Sequence, residues 1–258
     1  MSILLRRKKS PMEQETRFTV EGLVIKVSNV GESDRLVTLF TKEMGIIRAF
    51  AAGAKNIKSK KSAATSLLTY SSFTILNKKG TYRIYEATPI SQFFSFGEDI
   101  EILTISQYFC ELGLVFGNEN VPNVELLRLL LNSLHFLTKE KRYGNLIKAI
   151  TEFRVAVICG YAPNLVACKK CACFESDIMF FNLSDGSVIC RDCGSETDGI
   201  PINKTVLTSM RHIAFSEFSK LYSFDIPNGS ADILSRITGQ YLQFQSDVKF
   251  KTLDFLNT

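Results

Sequence analysis

Residues 21–62, EGLVIKVSNVGESDRLVTLFTKEMGIIRAFAAGAKNIKSKKS, decide the fold of this chain. Around and within this stretch, apolar and β-branched residues alternate with polar ones over three short segments, a pattern typical of half-buried strands. In the first segment, strict alternation puts Lys26 on the same side as Val20 and Val24. Turn-forming residues, with a glycine in each turn, separate the segments. The pattern predicts three consecutive strands over residues 19–27, 35–41 and 46–52.

Two more strands follow after a polar connection. Residues 73–77 and 82–87 have strand character and flank a Lys-Lys-Gly turn. Five short strands with one long connection between the third and the fourth favour a small closed barrel, because closure removes exposed sheet edges. We favour the oligonucleotide-binding (OB) type of barrel over residues 17–90, and from the pattern alone a barrel of SH3 type stays open. Residues 1–16 are expected to form a loose basic arm.

The connection between the third and fourth strands, residues 53–62, is rich in lysine and holds no acidic residue. Residues 1–90 carry 16 Lys and Arg against 7 Asp and Glu, a net charge of +9, whereas residues 91–258 carry 15 against 19, a net charge of −4. A basic module favours a polyanionic partner, since its cations neutralise phosphates and release counterions. The candidate DNA-binding residues are Arg35, Arg48, Lys55, Lys58, Lys60 and Lys61.

Aromatic side chains on these strands are candidates for stacking on unpaired bases. Stacking requires an exposed ring, whereas a small barrel needs large apolar side chains in its core. We therefore expect most of these rings to be core residues and assign none of them to DNA. The five rings are Phe40, Phe50, Tyr70, Tyr82 and Tyr85.

After Pro89 the apolar spacing changes to three and four residues, the period of an amphipathic helix. Three such helices, joined by short polar turns, predict a helical bundle. Two more helices near the C-terminus are expected to pack against it, so that residues 91–258 form a second domain. The predicted helices span residues 100–116, 124–138, 143–159, 204–216 and 231–245.

A cluster of cysteines interrupts the helical domain over about residues 165–198. Two Cys-x-x-Cys pairs are separated by 18 residues, a spacing that supplies four thiolates to a tetrahedral zinc ion. An Asp185-Gly186 turn between them predicts a hairpin. We expect one structural zinc ion, because four thiolates leave no coordination position open for a reacting water. The predicted ligands are Cys168, Cys171, Cys190 and Cys193.

Three cysteines lie outside these two pairs. Cys173 follows the first pair closely and is a candidate to replace Cys171, although a Cys-x-Cys spacing makes it the weaker ligand. Cys110 and Cys159 fall on apolar helical stretches, so we expect them in the helical core.

Several protein classes are disfavoured by the sequence. Its 258 residues include 7 unevenly spaced cysteines, too few for a disulfide-stapled secreted protein. No apolar run approaches the roughly 18 residues of a membrane helix, and the phosphate-loop, dinucleotide and HExxH motifs are missing. Glu32 and Asp34 lie close together as in a nuclease metal site, but two acids in a turn are more typical of turn formation. We predict a cytoplasmic protein that is not an enzyme and has neither a small-molecule substrate nor a membrane partner.

Two blocks of the sequence resemble the RecO family of DNA-repair recombination mediators. Over roughly residues 18–193, this resemblance implies an N-terminal OB barrel, a helical domain and an embedded zinc ribbon. Ala172 stands where the family commonly has glycine, and Asn56 where it often has arginine. The first block comprises Glu21-Gly22, Gly31-Glu32-x-Asp34, Thr38-Leu39-Phe40-Thr41, Gly45, Gly53 and the lysine- and serine-rich loop. The second comprises Phe153-Arg-Val, Gly160-Tyr-Ala-Pro163, Leu165 and the two Cys-x-x-Cys pairs.

The resemblance also implies a function. A protein of this family is expected to bind single- and double-stranded DNA without sequence preference and to anneal complementary strands. It is also expected to help load the RecA recombinase onto DNA coated by single-strand-binding protein. The implied partners are therefore DNA, RecR and the acidic C-terminal tail of the single-strand-binding protein. Such a tail requires an apolar groove with cations beside it, and the candidate cations of the helical domain are Arg128, Lys139, Lys141 and Arg142.

A different interpretation stays open, in which the protein is a zinc-ribbon adaptor that organises other proteins. The basic barrel would then be incidental. Binding of DNA by residues 17–90 distinguishes the two interpretations.

Overall fold

The computed structural model describes residues 16–94, 97 and 99–255, so the predicted basic arm lies outside the described residues except for Thr16. Five strands form a closed barrel in the order β1-β2-β3-β5-β4, and only the β3–β5 pair is parallel. This order is that of an OB barrel, and the predicted α+β fold, with a helical bundle and an inserted four-cysteine ribbon, is confirmed. The strands are β1 (Thr16–Val30), β2 (Asp34–Thr41), β3 (Gly45–Ala51), β4 (Thr69–Lys78) and β5 (Thr81–Gln92).

A bulge in β1 decides which of its side chains face the barrel interior. The register with β2 shifts between Val24 and Lys26, where one extra residue is inserted into the strand. Val20 and Val24 are buried in the barrel core, and Val27 packs against that core. The extra residue therefore turns Lys26 outward, where it is exposed. Strict alternation was wrong for Lys26 because it ignores the bulge.

The connection between β3 and β4 is partly helical, although the sequence predicted only a loop. Lys60–Ala64 form the short helix α1. The Ser59 hydroxyl caps it by accepting a hydrogen bond from the backbone N–H of Lys61 at 3.3 Å. Ala64 is buried in the barrel core, so α1 covers one end of the barrel. Five residues are too few to show a helical period in the sequence.

Five longer helices form the second part of the chain, and all five lie close to their predicted bounds. In the part of the chain that the structure describes, no helix has the length and apolar character needed to cross a membrane. The helices are α2 (Ile100–Phe116), α3 (Val124–Thr138), α4 (Gly144–Ile158), α5 (Lys204–Phe215) and α6 (Asn228–Ser246).

A buried ion pair lies where α4 packs against α6. The Nζ atom of Lys148 is 2.8 Å from Oε1 of Glu152, which is fully buried. The Glu152 carboxylate also accepts hydrogen bonds from the hydroxyls of Tyr108 and Thr238, at 2.9 and 2.7 Å. A buried charge is tolerated when it is paired and hydrogen-bonded in this way. Gly239 of α6 faces the pair, and a Cβ there would lie only 3.2 Å from Glu152 Oε1.

A short segment between α2 and α3, residues 117–121, fastens the bundle to the barrel, and we call it the strap. The backbone N–H of Ile46 in β3 donates to the Asn118 carbonyl at 2.9 Å, and the N–H of Asn120 donates to the Ile46 carbonyl at 3.1 Å. Gly45 has a φ of +64°, and a Cβ there would lie 2.1 Å from the Val121 carbonyl oxygen. The strap therefore requires glycine at this position.

Barrel residues also enter the apolar core of the bundle. Leu23, Ile25, Phe40 and Ile46, on the outer surface of β1, β2 and β3, are buried in the same cluster as the helices. A second, smaller core fills the barrel interior. The division into domains at residues 90 and 91 therefore stays a prediction, since one core crosses it.

The cysteine ribbon is a four-stranded sheet in the order β6-β8-β7-β9. The predicted hairpin is present: β7 and β8 are antiparallel, and Gly186 between them has a φ of +66°. The outer strands β6 and β9 were not predicted, since four or five residues beside prolines and cysteines show no clear alternation. The strands are β6 (Asn164–Cys168), β7 (Ile178–Phe181), β8 (Ser187–Cys190) and β9 (Ile200–Asn203).

Candidate metal centre and nucleic-acid interface

The four predicted cysteine ligands come together at one end of the ribbon. All four Sγ atoms lie within 4.8 Å of one another, and those of Cys171 and Cys190 are 3.6 Å apart. Tetrahedral coordination with metal–sulfur bonds of about 2.3 Å places sulfur atoms about 3.8 Å apart. The thiol positions therefore fit one tetrahedral ion, and the chain has four cysteines that could bind a metal.

Two neighbouring strands position these ligands. Cys168 ends β6 and Cys190 ends β8, and β6 and β8 pair in parallel. After each of these cysteines the chain turns back, because the N–H of Ala172 donates to the Cys168 carbonyl and that of Gly194 donates to the Cys190 carbonyl. Ala172 has a φ of +60°, a left-handed conformation that suits glycine better. A glycine would adopt this conformation without the strain that the Cβ of Ala172 causes.

Backbone donors prepare the first of these thiols for a metal. Burial raises the pKa of Cys168, but the backbone N–H groups of Cys190, Cys171 and Lys170, together with the Cys171 thiol, outweigh burial and lower this pKa to about 6. The thiolate is the metal-binding form of cysteine. Cys173 has its Sγ atom 2.9 Å from the Glu175 carbonyl oxygen, to which it donates, and it is not one of the four clustered thiols.

The two helical cysteines have the opposite environment. Cys110 is buried on α2, and burial raises its pKa to about 12. Burial also raises the pKa of Cys159 to about 11, and Cys159 packs against the bundle core. At neutral pH both are unreactive thiols, as expected of packing residues.

Four of the six predicted DNA-binding cations lie together on the connection between β3 and β4. Lys55 donates from Nζ to the Gly31 carbonyl at 3.2 Å, and Lys61 donates to the Ile84 carbonyl at 3.1 Å. The ammonium groups of Lys58 and Lys60 have no hydrogen-bond partner or ion pair among residues 16–94, 97 and 99–255. Within the same ranges, none of these four lysines forms an ion pair. We call Lys55, Lys58, Lys60 and Lys61 the lysine loop.

Asp34 anchors the beginning of the lysine loop. Its Oδ1 atom accepts hydrogen bonds from the backbone N–H of Gly53 at 2.7 Å and from the Ser33 hydroxyl at 2.8 Å. The Gly53 N–H, followed by the Ser33 hydroxyl, lowers the pKa of Asp34. The carboxylate that the sequence offered as a possible nuclease ligand therefore has a structural contact in the turn.

The two predicted arginines lie on opposite sides of the sheet. Arg35 points toward α1, and its Nη1 atom donates to the Ser62 carbonyl at 2.8 Å and to the Thr65 hydroxyl at 3.1 Å. Its contacts hold α1 against the end of the barrel. Arg48 lies on the outer surface of β3, where it pairs with Glu119 of the strap at 2.8 Å. The six predicted residues therefore do not form one continuous patch.

Arg48 lines a groove that the sequence did not reveal. This groove, which we call the strap groove, has a volume of about 230 Å³ and runs between the outer surface of β1–β3 and the strap. Lys26 reaches the strap groove because the β1 bulge turns it outward. Phe50 pairs with the groove residue Leu36 across β2 and β3; it is half-buried and belongs to neither core. The lining residues are Lys26, Ser28, Leu36, Thr38, Ile46, Arg48, Leu114, Gly117 and Glu119.

The other aromatic rings of the barrel divide between core and surface. Phe40 is fully buried, and Tyr70 and Tyr82 are partly buried against the two cores. Tyr85 is 49% exposed and lies under the guanidinium of Arg17, at 4.4 Å. The expectation that most of the rings serve the core therefore holds for three of the five.

The four cations predicted to bind an acidic tail have different surroundings. Arg142 is mostly buried and donates to the carbonyls of Tyr222 and Phe224, so it holds the segment that follows α5. The guanidinium of Arg128 lies 4.2 Å above the ring of Phe218 in the same segment. Lys139 caps the C-terminal end of α3 and, like Lys141, is exposed. Binding of a tail at this place stays a prediction.

Comparisons with known proteins cover nearly the whole chain. Residues 12–93 match the family described as recombination protein O, N terminal, and residues 97–254 match recombination protein O, C terminal. A DNA repair protein RecO of Acetivibrio thermocellus is 33% identical over 92% of this chain and 95% of its own length. One of Caldicellulosiruptor bescii is 30% identical over 91% and 96%, and one of Bacillus pumilus is 27% identical over 92% of both chains.

Proposed function

Since this chain belongs to the RecO family and so has a role in DNA repair, we propose that it binds single- and double-stranded DNA without sequence preference. We further propose that it anneals complementary strands and, with RecR, assists the loading of RecA onto DNA coated by single-strand-binding protein. The protein acts in the cytoplasm as a binding protein and not as an enzyme.

One observation carries the DNA-binding part of this proposal. The lysine loop places four ammonium groups at one end of the barrel without a single ion-pair partner in the described ranges. A phosphate must displace the carboxylate from a cation that is already paired, whereas an unpaired cation neutralises the phosphate directly and releases a counterion. Contacts of this kind recognise the backbone and not the bases, which accounts for binding without sequence preference.

The strap groove supports a second contact with single strands. The outer surface of strands 2 and 3 is the usual ligand surface of an OB barrel. Here Lys26, Arg48 and Leu36 line the strap groove, and the half-buried Phe50 is the strand neighbour of Leu36. Phosphates then lie against the cations, and a base packs on Leu36 or stacks on the Phe50 ring.

Annealing follows from the neutralisation of charge. Two strands repel each other, and a protein that offers a row of lysines to both lowers that repulsion until base pairing takes over. In this account Arg35 acts by holding α1 in place, and Lys55 and Lys61 are near enough to backbone carbonyls to keep the loop ordered. Lys58 and Lys60 are the most available for phosphate.

The metal that the four cysteines hold is, in our proposal, one zinc ion with a structural role. Four thiolates suit zinc and close its coordination sphere. The ion links the ends of β6 and β8, which pack through Leu165 and Val188 against the bundle core. It therefore stabilises the scaffold on which the barrel is mounted and takes no part in binding DNA.

Two protein partners complete the proposal. RecR and the acidic C-terminal tail of the single-strand-binding protein are the partners that membership of the family suggests. We place the tail beside Arg128, Lys139, Lys141 and Arg142, where cations border half-buried aromatic rings such as Phe218. Exposed Lys139 and Lys141 then contact the acidic residues, and Arg142 keeps the rings in position.

The test exchanges charge at one site and leaves the other untouched. Changing Lys58, Lys60 and Lys61 together to Glu should weaken binding of oligo(dT) strongly, while binding of an acidic peptide with an apolar C-terminal end stays unchanged. Changing Arg128, Lys139 and Lys141 to Glu should have the reverse effect. Fluorescence anisotropy measures both affinities, and circular dichroism checks that each variant folds. Unchanged DNA affinity in the lysine-loop variant contradicts the proposal and favours the zinc-ribbon adaptor.

A further inference from the structure

In the strap groove, Arg48 is a cation that a DNA strand would contact, and it is already paired with Glu119. Arg48 Nη2 lies 2.8 Å from Glu119 Oε1, and the two side chains are 67% and 62% exposed. Their contact joins the barrel to the strap, since the residues stand 71 positions apart in the sequence. Lys26, on the other side of the groove, has no ion pair in the described part of the chain.

The backbone fixes the Glu119 carboxylate in this position. Glu119 forms an isolated β-bridge with Ile46, and Arg48 is the next residue of β3 that faces outward. Two backbone hydrogen bonds, one on each side of Glu119, hold the strap against β3. Backbone hydrogen bonds of the strap therefore hold the Glu119 carboxylate next to Arg48.

A carboxylate and a phosphate compete for the same guanidinium donors. Both present two oxygens to the planar fork of an arginine. We propose that Glu119 is an internal substitute for phosphate, which a single strand must displace from Arg48, and that it thereby sets the affinity and the strand preference of the strap groove. This inference rests on the proposed binding of DNA to the barrel.

The size of the groove predicts that this site takes single strands in preference to duplex DNA. Its volume of about 230 Å³ has room for one unpaired base or one sugar–phosphate unit and not for a base-paired helix. The strap, which pairs with β3, forms a wall on the side opposite Lys26 of β1, and Leu114 of α2 also lines the groove. A single strand can bend between them and bring a phosphate to Arg48, whereas a duplex meets the wall and contacts the exposed lysine loop instead.

The energy of the ion pair sets the expected effect. An exposed pair contributes little to stability, because water and salt screen it. A strand can therefore break the contact, and removing the acid should tighten binding of oligo(dT) by about twofold to fivefold. Glu119→Gln keeps the shape of the side chain while removing its charge, so the strap should stay in place.

The experiment is a double-mutant cycle on the full chain. Affinities for labelled oligo(dT) and for a duplex of the same length are measured by anisotropy for wild type, Glu119→Gln, Arg48→Gln and the double variant. Glu140→Gln is the matched control, since Glu140 is 56% exposed and pairs with His135 at 3.4 Å. Thermal unfolding followed by circular dichroism verifies that all variants keep the fold.

The expected result has three parts. Glu119→Gln tightens binding of oligo(dT) and not of the duplex, the gain disappears when Arg48 is also changed to Gln, and Glu140→Gln has no comparable effect. An equal gain for the duplex, a gain that persists without Arg48, or an equal gain in Glu140→Gln overturns the inference and indicates a general effect of net charge. Failure of the wild type to bind either DNA contradicts the proposed function itself.

Discussion

The lysine loop of the barrel and the cysteine ribbon carry similar numbers of exposed lysines but use them differently. Each ribbon lysine is matched by a carboxylate, whereas the lysine loop has no ion pair in the described ranges of the chain. Within the ribbon Lys169 pairs with Asp185 and Lys170 with Asp198, and Lys204, the first residue of α5, pairs with Glu175 of the ribbon. The Lys169 ammonium lowers the pKa of Asp185 to about 2, and the Lys204 ammonium lowers that of Glu175.

This difference separates charges that serve the fold from charges that remain for a ligand. The ribbon packs apolar side chains such as Leu165, Phe181 and Val188 into the bundle core, and its surface lysines are already neutralised by carboxylates of the same fold. The lysine loop is anchored by backbone hydrogen bonds and by the buried Ala64, and it even exposes 93% of Ile57. Its cations are not neutralised by any carboxylate in the described ranges, and the ammonium groups of Lys58 and Lys60 make no contact there that would stabilise the loop, which is why we assign the loop to DNA.

The largest effect should come from removing one metal ligand of the ribbon. Changing the buried Cys190 to Ser should reduce the metal content from about one ion per chain to near zero and unfold the ribbon, because structural zinc contributes on the order of 10 kcal/mol to folding. Atomic absorption gives the metal content, and hydrogen exchange of β7 and β8 reports the loss of structure. Binding of oligo(dT) should persist, since the lysine loop lies on the barrel.

Cys173→Ser is the control for this experiment. It should retain the ion, because the Cys173 thiol donates to the Glu175 carbonyl and stands outside the four clustered sulfurs. Loss of the ion in Cys173→Ser, or a full ion in Cys190→Ser, contradicts the assigned ligand set.

Two glycines with the same backbone conformation should respond differently in the two regions. Gly186 in the ribbon and Gly53 at the lysine loop have φ values of +66° and +67°, so alanine costs about 1–2 kcal/mol at either position through strain alone. A Cβ on Gly186 would also lie 2.7 Å from the Tyr241 hydroxyl, whereas one on Gly53 meets nothing within 4 Å. Crowding should add about 1–3 kcal/mol for Gly186→Ala.

Urea unfolding measures both free energies. Equal decreases for Gly186→Ala and Gly53→Ala would mean that the ribbon is no more tightly packed than the loop, and the contrast between the two regions would then fail.

A smaller effect distinguishes the two arginines of the barrel. Arg35→Gln removes charged hydrogen bonds to the Ser62 carbonyl and the Thr65 hydroxyl, and should lower the free energy of unfolding by about 1.5–3 kcal/mol. Arg48→Gln removes only an exposed ion pair, worth about 0–1 kcal/mol. Denaturant titration of both variants checks the difference. A larger decrease in Arg48→Gln would show that the strap contact is structural and not available to a ligand.

Most of the fold could be predicted because its signals are local. The helices of the bundle have clear apolar periods, and the two Cys-x-x-Cys pairs at a fixed spacing indicate a metal site that the clustered thiols support. The short helix α1 and the strands β6 and β9 were missed, since four or five residues do not display a period. Tertiary contacts, such as Ala64 in the barrel core, determine their conformation.

The candidate DNA site could be predicted only in part. A run of lysines is visible in the sequence, and it is indeed clustered on one connection. Strand register and packing determine the remaining features of the site. A bulge turns Lys26 outward, Arg35 points inward toward α1, and Arg48 pairs with a residue 71 positions away. No sequence pattern near Glu119 indicates that it faces Arg48, so the strap groove required the structure.

The most direct test of the account compares the salt dependence of DNA binding after neutralising lysines in each region. One variant changes Lys58, Lys60 and Lys61 to Gln, and the matched variant changes Lys169, Lys170 and Lys204 to Gln. The quantity measured is the slope of log affinity for oligo(dT) against log salt concentration. In the first variant this slope should become shallower by about 0.7 for each phosphate that is no longer neutralised, or about 2 in total. In the second variant the slope should stay unchanged. Equal slopes in wild type and lysine-loop variant, or a shallower slope only in the ribbon variant, would contradict the claim that the unpaired lysines of the barrel hold the DNA backbone.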